Sequence, residues 1–301
     1  MKQSKFSFQS FDEHGLQFLN AYDESLNLWP VSYETLFIPT RFGLTHVIVS
    51  GPKDAPPILL FHGTLYSSVM WYINIEELSR NHRVYAVDII NDQNKTESNK
   101  DCVTRQDFAN WFVDVLDELK IWQARIVGLS YGGVQTLNLL INYPERVEKA
   151  IIVAPAEGFT SFYPEFFEYA YGMFEPNGLQ KQIKWMMDDR YSLDPLLIKQ
   201  YQAAIDWLRI SPPSLPDANG LPCVFTDEEL ESIEVPTLLL IGEHEVLFNP
   251  LEALQRASKL MKNVETELIE GVGHVLTMEK PDEFNKRVLE FFHSQRVSAS
   301  L

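Results

Sequence analysis

A serine at position 130 stands in the pattern G-x-S-x-G, which covers residues 128–132. This pattern is typical of a sharp turn between a strand and a helix, because small flanking residues let the backbone make a strained bend that exposes the serine hydroxyl. An apolar stretch precedes the pattern, and the apolar segment VQTLNLLI follows it. This context favours Ser130 as the nucleophile of an acyl-transfer reaction over the alternative, a glycine-rich turn with an incidental serine.

A serine nucleophile needs a base, and it needs a carboxylate that orients the base. His274 ends the segment GVGH after the last predicted strand, and histidine exchanges protons near neutral pH. The acid is expected between Ser130 and His274 in chain order, in the turn GEHE that follows the strand PTLLLI. We predict Glu245 as this acid, because a residue three positions past the glycine can turn back toward His274. We expect Glu243 to be a solvated loop charge.

Two backbone N–H groups are needed to stabilise the oxyanion that forms during acyl transfer. One belongs to Tyr131, the residue after the nucleophile, and we predict Thr64, in the segment FHGT, as the other. His62 in the same segment could act as a base, but we predict that it holds the loop through hydrogen bonds, because His274 is the better base. The remaining histidines are expected to be structural or solvent-facing; they are residues 14, 46, 82, 244 and 293.

Motifs for other chemistries fail on inspection. The pair His244-Glu245 could begin the zinc-protease motif H-E-x-x-H, but Phe248 stands where the second histidine is required. The chain contains no phosphate-binding pattern G-x-x-x-x-G-K-[ST], and the glycines at 271 and 273 lack the third glycine of a dinucleotide fingerprint. We therefore expect neither a metal nor an organic cofactor.

The elements that must position these residues alternate between strands and helices, which predicts an α/β fold with a mostly parallel central sheet flanked by helices. Strands are predicted over 33–40, 43–50, 58–63, 83–90, 124–129, 149–154, 236–241 and 264–269. Helices are predicted over 68–80, 104–119, 131–142, 250–261 and 281–294, with a helical or irregular arm over 13–28 and a loop over 91–101.

Residues 156–232 break this alternation. They carry helical spacing without a β-rich run, and prolines interrupt them, above all in the segment 211–216. The segment is rich in aromatic residues: Phe159, Phe162, Phe166, Phe167, Tyr169, Tyr171, Phe174, Trp185 and Trp207. We predict a helical cap here, inserted into a core made of residues 1–155 and 233–301.

Composition excludes several classes of partner. The 301 residues include 25 Lys plus Arg and 42 Asp plus Glu, for a net charge of −17, which argues against nucleic acid and against anionic lipid surfaces. Cys102 and Cys223 form neither a zinc motif nor a disulfide framework. The first fourteen residues contain no apolar signal-peptide region, and no uninterrupted apolar stretch reaches 18 residues, so we expect a cytoplasmic protein without a membrane span.

Four segments, FHGT, GLSYGG, LLLIGEHEV and GVGH, resemble in this order the α/β-hydrolase superfamily, over about residues 33–294. More narrowly, NLWPVSYETLFIPTRFGLTHVIVSG and VYAVDIINDQNK resemble bacterial carboxylesterases of the naproxen-esterase type. The resemblance implies Ser130 as nucleophile, Glu245 as acid, His274 as base, and oxyanion donors at Thr64 and Tyr131.

The sequence departs from the wider superfamily at two places. The predicted acid is Glu, where Asp is usual, and the loop after Asp88 lacks the common Gly-x-Gly-x-Ser run. The resemblance implies hydrolysis of a small-molecule ester through an acyl-enzyme, and the aromatic cap favours apolar or aryl acyl groups. The same residues could serve a perhydrolase, a C–C bond hydrolase or an aminopeptidase. A small-molecule receptor that retains a slow triad is the alternative outside enzymes.

Overall fold

The computed structural model describes residues 12–210 and 220–294. The proline-rich segment 211–216 lies outside these residues, and so do residues 1–11 of the N-terminal stretch for which no signal-peptide region is expected. Within the described part of the chain, no helix is both long enough and apolar enough to cross a bilayer.

The elements follow the predicted alternation closely. The strands are β1 (Tyr33–Thr40), β2 (Gly43–Ser50), β3 (Pro57–Phe61), β4 (Arg83–Val87), β5 (Glu97–Ser98), β6 (Ala124–Leu129), β7 (Val147–Val153), β8 (Thr237–Gly242) and β9 (Val264–Ile269). The helices are α1 (Glu13–Ser25), α2 (Tyr72–Ser79), α3 (Arg105–Glu118), α4 (Tyr131–Asn142), α5 (Pro164–Gly172), α6 (Gly178–Met187), α7 (Pro195–Ile210), α8 (Asp227–Glu231), α9 (Pro250–Leu260), α10 (Leu276–Glu279) and α11 (Pro281–His293).

Within the described residues the strands form one sheet in the order β1-β2-β4-β3-β6-β7-β8-β9, with β5 beside β2. Strand β2 pairs antiparallel with β1 and β4, and every neighbouring pair from β4 to β9 is parallel. The prediction of a mostly parallel sheet is thus confirmed. The inner strands β3, β6, β7 and β8 are buried almost throughout, as their continuous apolar runs indicate, whereas the edge strand β1 is largely exposed.

The parallel arrangement sets the position of the site. Strands β3, β6, β8 and β9 all run in the same direction, so their carboxyl ends meet at one edge of the sheet. The loops that leave this edge carry Thr64, Ser130, Glu245 and His274. Four segments that are far apart in sequence are therefore brought to one place by the sheet.

Helices α5 to α8 lie between β7 and β8 in chain order, inside the segment predicted to form the cap. Helix α7 packs on α1, where the ring centroids of Phe18 and Trp207 are 5.5 Å apart and Ser25 Oγ donates to Gln200 Oε1 at 2.5 Å. Helix α5 has no fully buried residue: Phe166, Phe167 and Tyr171 line the cavity described below, and Tyr169 stacks on Trp185 of α6 with the ring centroids 4.3 Å apart. The division of the chain at residues 156 and 232 stays a prediction.

Where the structure differs from the predicted elements, it does so over short segments. Strand β5 lies in the predicted loop 91–101, where two polar residues pair with Gly43 and Leu44 without any apolar periodicity to reveal them. Helix α10 was not predicted, because it has four residues. The predicted strand 58–63 ends at Phe61, since His62 and Gly63 already belong to the turn. The predicted helix 68–80 begins as a 3-10 turn, Ser68–Trp71.

Candidate active site

Ser130 occupies the turn between β6 and α4, with φ +54° and ψ −116°. Such a conformation costs a non-glycine residue about 1–3 kcal/mol, so the surrounding structure must hold it. Its N–H donates to Val153 O at 2.9 Å, and its carbonyl accepts the N–H groups of Gly133 and Val134 at 2.9 and 3.1 Å. The side chain is consequently fixed at the end of the strand, with a small exposed fraction of 9% for the residue.

The two glycines of the motif are required by close backbone contacts. A Cβ atom on Gly128 would overlap the carbonyl oxygen of Gly132, and a Cβ atom on Gly132 would overlap the carbonyl oxygen of Phe61 in β3. Helix α4 therefore begins directly against the ends of two strands. The sharp bend at Ser130 depends on these close backbone contacts, which only glycine permits at positions 128 and 132.

His274 and Glu245 complete a chain of hydrogen bonds to the serine. His274 Nε2 lies 2.9 Å from Ser130 Oγ, and Nδ1 lies 2.8 Å from Glu245 Oε2. The other carboxylate oxygen of Glu245 accepts the N–H groups of Val246 and Leu247, both at 2.9 Å. Because the Glu245 side chain is fully buried, these contacts compensate its lost hydration. A carboxylate at Nδ1 places the imidazole proton there and leaves Nε2 free to accept a proton from the serine.

The alternative acid, Glu243, has a different environment. Its side chain is 47% exposed, and its carboxylate accepts the N–H of Gly271 at 2.9 Å. Its own N–H continues the β8–β9 pairing by donating to Ile269 O, whereas the N–H of Glu245 closes a turn onto Gly242 O. The chain reverses between the two residues, which directs only Glu245 toward His274.

Thr64 and Tyr131 provide two free backbone donors beside the serine. Across residues 12–210 and 220–294, neither N–H has a hydrogen-bond acceptor. A Cβ atom on Gly63, the residue before Thr64, would lie 3.4 Å from Ser130 Cβ, so the loop after β3 runs directly past the serine. Thr64, Tyr131, Ser130 and His274 line one cavity. The arrangement suits an oxyanion that develops on a carbonyl bound at Ser130.

The loop after Thr64 is held by a carboxylate that sequence reasoning missed. Leu65 has φ +67°, and its N–H donates to Asp92 Oδ2 at 2.9 Å. Burial raises the pKa of the Asp92 carboxyl, although the N–H groups of Leu65 and Gln93 favour its charged form. Asp92 lies in the loop after Asp88 that departs from the superfamily pattern. That departure is the one sequence feature that could have drawn attention to Asp92, because no spacing pattern connects residues 65 and 92.

His62 has the structural position predicted for it. Its Nε2 accepts the N–H of Ile89 at 2.9 Å, and its Nδ1 lies 2.8 Å from Gly63 O. Since a backbone N–H can only donate, the Nε2 atom is unprotonated and the Nδ1–H donates to the carbonyl. Both ring nitrogens are thus engaged in holding the β3 and β4 loops.

A cavity of about 710 Å³ opens above Ser130 and His274. Six of the nine predicted cap aromatics line it: Phe162, Phe166, Phe167, Tyr171, Phe174 and Trp185. The other three, Phe159, Tyr169 and Trp207, do not. Two carboxylates, Asp92 and Glu157, also line it, and burial raises the pKa of Glu157. Among the described lining residues there is no Lys or Arg, so the largely apolar lining carries two carboxyl groups and no ammonium or guanidinium group.

Within the described residues, no cluster of three or more His, Cys, Asp or Glu side chains could hold a metal ion.

Comparisons with known proteins identify the family of this chain. The family model described as alpha/beta hydrolase fold matches residues 56–281. The chain is 47% identical over 295 residues, 98% of each chain, to the uncharacterized carboxylesterase nap of Bacillus subtilis strain 168. It is 47% identical over 279 residues to carboxylesterase YbfK of the same organism, which covers 93% of this chain and 94% of that one.

Among solved structures, naproxen esterase (carboxylesterase NP) from Bacillus subtilis matches with a TM-score of 0.92 and 49% identity, covering 94% of this chain and 100% of that one. A serine–histidine–carboxylate arrangement stands at the carboxyl edge of a mostly parallel sheet in this chain. From this arrangement and these matches we conclude that the chain belongs to the α/β-hydrolase family.

Proposed function

We propose that this protein is a serine carboxylesterase that hydrolyses apolar or aryl carboxylic esters through an acyl-enzyme. The observation that carries the proposal is the continuous chain from Ser130 Oγ through His274 to Glu245, with distances of 2.9 and 2.8 Å, at the floor of a large apolar cavity. The named carboxylesterase relatives support ester hydrolysis over the perhydrolase, C–C hydrolase, aminopeptidase and receptor alternatives.

In the acylation step, Ser130 Oγ attacks the ester carbonyl carbon while its proton passes to His274 Nε2. Glu245 stabilises the imidazolium that forms. The carbonyl oxygen becomes an oxyanion and accepts hydrogen bonds from the N–H groups of Thr64 and Tyr131. When the carbon–oxygen bond to the alcohol breaks, His274 returns its proton to the departing oxygen, and the acyl group remains on Ser130.

Deacylation repeats these roles with water. A water molecule gives a proton to His274 and attacks the acyl carbon, and the second oxyanion uses the same two N–H donors. Collapse releases the carboxylic acid, and His274 returns the proton to Ser130 Oγ. Every proton is thus accounted for by this chain's own residues and one water.

The walls of the cavity favour apolar acyl groups. Six of the predicted cap aromatics line it, and its volume of about 710 Å³ accommodates an aryl acid. An anionic substituent would find no cationic partner among the described lining residues and would face Asp92 and Glu157. We also propose that residues 156–232 act as an inserted cap over a core of residues 1–155 and 233–301, because α5 and α6 supply these walls.

We further propose a cytoplasmic location. Both cysteines are free thiols, with Cys102 buried and Cys223 partly buried, which suits a reducing compartment.

A panel of p-nitrophenyl esters of rising acyl length, with an aryl-propionate ester beside them, tests the proposed activity. We expect many turnovers per chain, a rise of kcat/KM with acyl length until the cavity is filled, and background rates for the matched Ser130→Ala variant. Release of one equivalent of nitrophenol without further turnover would favour the receptor alternative. Equal rates for the wild type and Ser130→Ala would contradict the esterase assignment.

A further inference from the structure

An arginine of the cap segment reaches the loop that carries the proposed base. Arg190 follows α6, and its Nε donates to Glu279 Oε2 at 2.8 Å while its Nη2 donates to Met186 O at 2.8 Å. The side chain of Glu279, at the end of α10, is 1% exposed. This ion pair therefore joins the cap segment to the core at a buried position, where a lone carboxylate would be costly.

The same carboxylate holds the backbone next to His274. Both oxygens of Glu279 accept the N–H of Gly273, at 3.1 and 3.0 Å. The cap also packs directly on this residue, because a Cβ atom on Gly273 would lie 2.5 Å from Arg190 Nη2 and 2.8 Å from Met186 O. The position of His274 is thus linked through one peptide unit to Glu279, and through Glu279 to Arg190.

A second cap residue holds the loop that carries the proposed oxyanion donor. Gln200, in α7, is 1% exposed, and its Nε2 donates to Tyr66 O at 3.2 Å and to Ser67 Oγ at 2.6 Å. Ser67 has φ +63°, and Leu65 in the same loop has φ +67°. Residues in this region of φ keep their conformation only when neighbouring groups hold them. Gln200 is one of those groups for the loop that begins at Thr64.

We propose that residues 190–200 of the cap act as a positioning clamp on the catalytic loops, with Arg190 holding His274 through Glu279 and Gln200 holding the Thr64 loop. The inference rests on the proposed esterase function and extends it. Arg190, Glu279 and Gln200 touch no reacting atom, so they are positioning residues. The clamp sets the distance from His274 to Ser130 and the direction of the Thr64 N–H, both of which act in the transition state.

The test uses p-nitrophenyl acetate, whose small acyl group needs little contact with the cap, and the full-length chain. Arg190→Gln should lower kcat about 10- to 100-fold and change KM by less than about threefold, because displacement of a catalytic group by about 1 Å costs about 10²-fold. The second-order rate at which a small fluorophosphonate labels Ser130 should fall by the same factor as kcat. Rates are divided by the folded fraction from circular dichroism, well below the melting temperature.

Matched variants separate positioning from general loosening of the cap. Lys184→Gln removes an exposed ion pair with Asp188 from the same cap helix, α6, and should keep wild-type kcat. Gln200→Met keeps the side-chain length but removes its polar atoms, and should lower kcat about tenfold. Arg190→Lys keeps a charge for Glu279 but cannot reproduce the two contacts of the guanidinium, so it should recover part of kcat.

If Arg190→Gln does not fold, the double variant Arg190→Gln with Glu279→Gln carries the test, since no unpaired buried charge remains. Its kcat should still lie at least about fivefold below that of Lys184→Gln, because the amide contact cannot replace the ion pair. Folded Arg190 and Gln200 variants with kcat and labelling rates within twofold of Lys184→Gln would overturn the clamp. A wild-type protein that neither turns over the ester nor reacts with the phosphonate would instead refute the esterase function itself.

Discussion

Two buried histidine–carboxylate pairs in the described part of the chain are close enough to hydrogen-bond, and of these two only His274–Glu245 borders the cavity. His274 and Glu245 are 2.8 Å apart, and His46 Nδ1 lies 2.9 Å from Asp88 Oδ2. Both pairs are almost fully buried, and a serine stands near each. Judged by the pair distance alone, the two are equivalent, so the distance does not identify an active site.

The two pairs differ in how the nearby serine contacts them and in what surrounds the histidine ring. Ser130 directs its hydroxyl at the imidazole, whereas Ser68 gives only its backbone N–H to Asp88, at 2.8 Å. The ring of His46 packs edge-on against that of Tyr22 and also contacts Phe37. Neither His46 nor Asp88 is among the residues that line the cavity. A serine hydroxyl in a strained turn beside the imidazole, and access to the cavity, distinguish the first pair from the second.

The second pair is a structural tie between β2 and the loop after β4. Burial alone would raise the pKa of the Asp88 carboxyl, but the hydrogen bond and the charge of His46, with the Ser68 N–H, lower it to about 2. Asp88 also accepts the N–H of Lys95 at 3.2 Å. The carboxylate is thus stabilised in its charged form and holds two loops together.

The largest difference is expected between the two serines. Ser130→Ala should lose about 10³- to 10⁶-fold in kcat while the fold persists, because the nucleophile itself is gone. Ser68→Ala keeps the backbone N–H that Asp88 needs, so its kcat should stay within about threefold of wild type. Steady-state hydrolysis of one activated ester by both variants measures this. Comparable losses of kcat in both variants would contradict the distinction between the two histidine–carboxylate pairs.

Glu243 and Glu245, in the turn that follows β8, provide the next test. Glu245→Gln should lower kcat about 10³- to 10⁴-fold, because the imidazole loses the partner that fixes its tautomer. Glu243→Gln still offers an oxygen to Gly271 and should cost less than about threefold. Glu245→Asp should keep part of the activity, since the charge survives about one C–C bond short of its position. A severe loss in Glu243→Gln, or mild effects in both Gln variants, would show that the acid is assigned incorrectly.

For the second pair we expect an effect on stability rather than on catalysis. Asp88→Asn should lower the free energy of unfolding at pH 7 by about 3 kcal/mol, as for other broken buried pairs, while kcat per folded chain stays within about tenfold of wild type. Because folding depresses the pKa of Asp88, its stabilisation of about 2 kcal/mol is present above pH 5 and is lost as the pH falls toward 2.

Urea unfolding at pH 7, 5, 4 and 3 measures this dependence. The gap in the free energy of unfolding between the wild type and Asp88→Asn should narrow as the pH falls. A constant gap, or a loss of activity in Asp88→Asn comparable with that of Glu245→Gln, would contradict a purely structural role for this pair.

Prediction from the sequence worked where one local pattern carries the information. The strand–turn–helix at Ser130 and the bounds of β6 and α4 follow from apolar runs and glycines that act over a few residues. Glu245 could be preferred over Glu243 because the turn itself is local. Strand β5 was missed, since its pairing with β2 depends on residues more than fifty positions away.

Contacts between distant segments could not be predicted in the same way. Nothing in the sequence connects Arg190 with Glu279, or Gln200 with Ser67, because the first pair is 89 residues apart and the second 133. Asp92 was visible only as part of a loop that departs from the superfamily. The roles proposed for these residues depend on packing, which brings parts of segment 156–232 onto the loops that carry the motifs.

Labelling with a fluorophosphonate, followed by peptide mapping with mass spectrometry, tests the central claim most directly. The reagent bonds to a serine oxygen that is both activated by a base and open to a cavity, which are the two properties that separate the site from the buried pair. We predict one equivalent of label per chain, on Ser130, and none on Glu245→Gln protein within the time that saturates wild type. A label on Ser67, Ser68 or any serine other than Ser130, or no label on folded wild-type protein, would contradict the account.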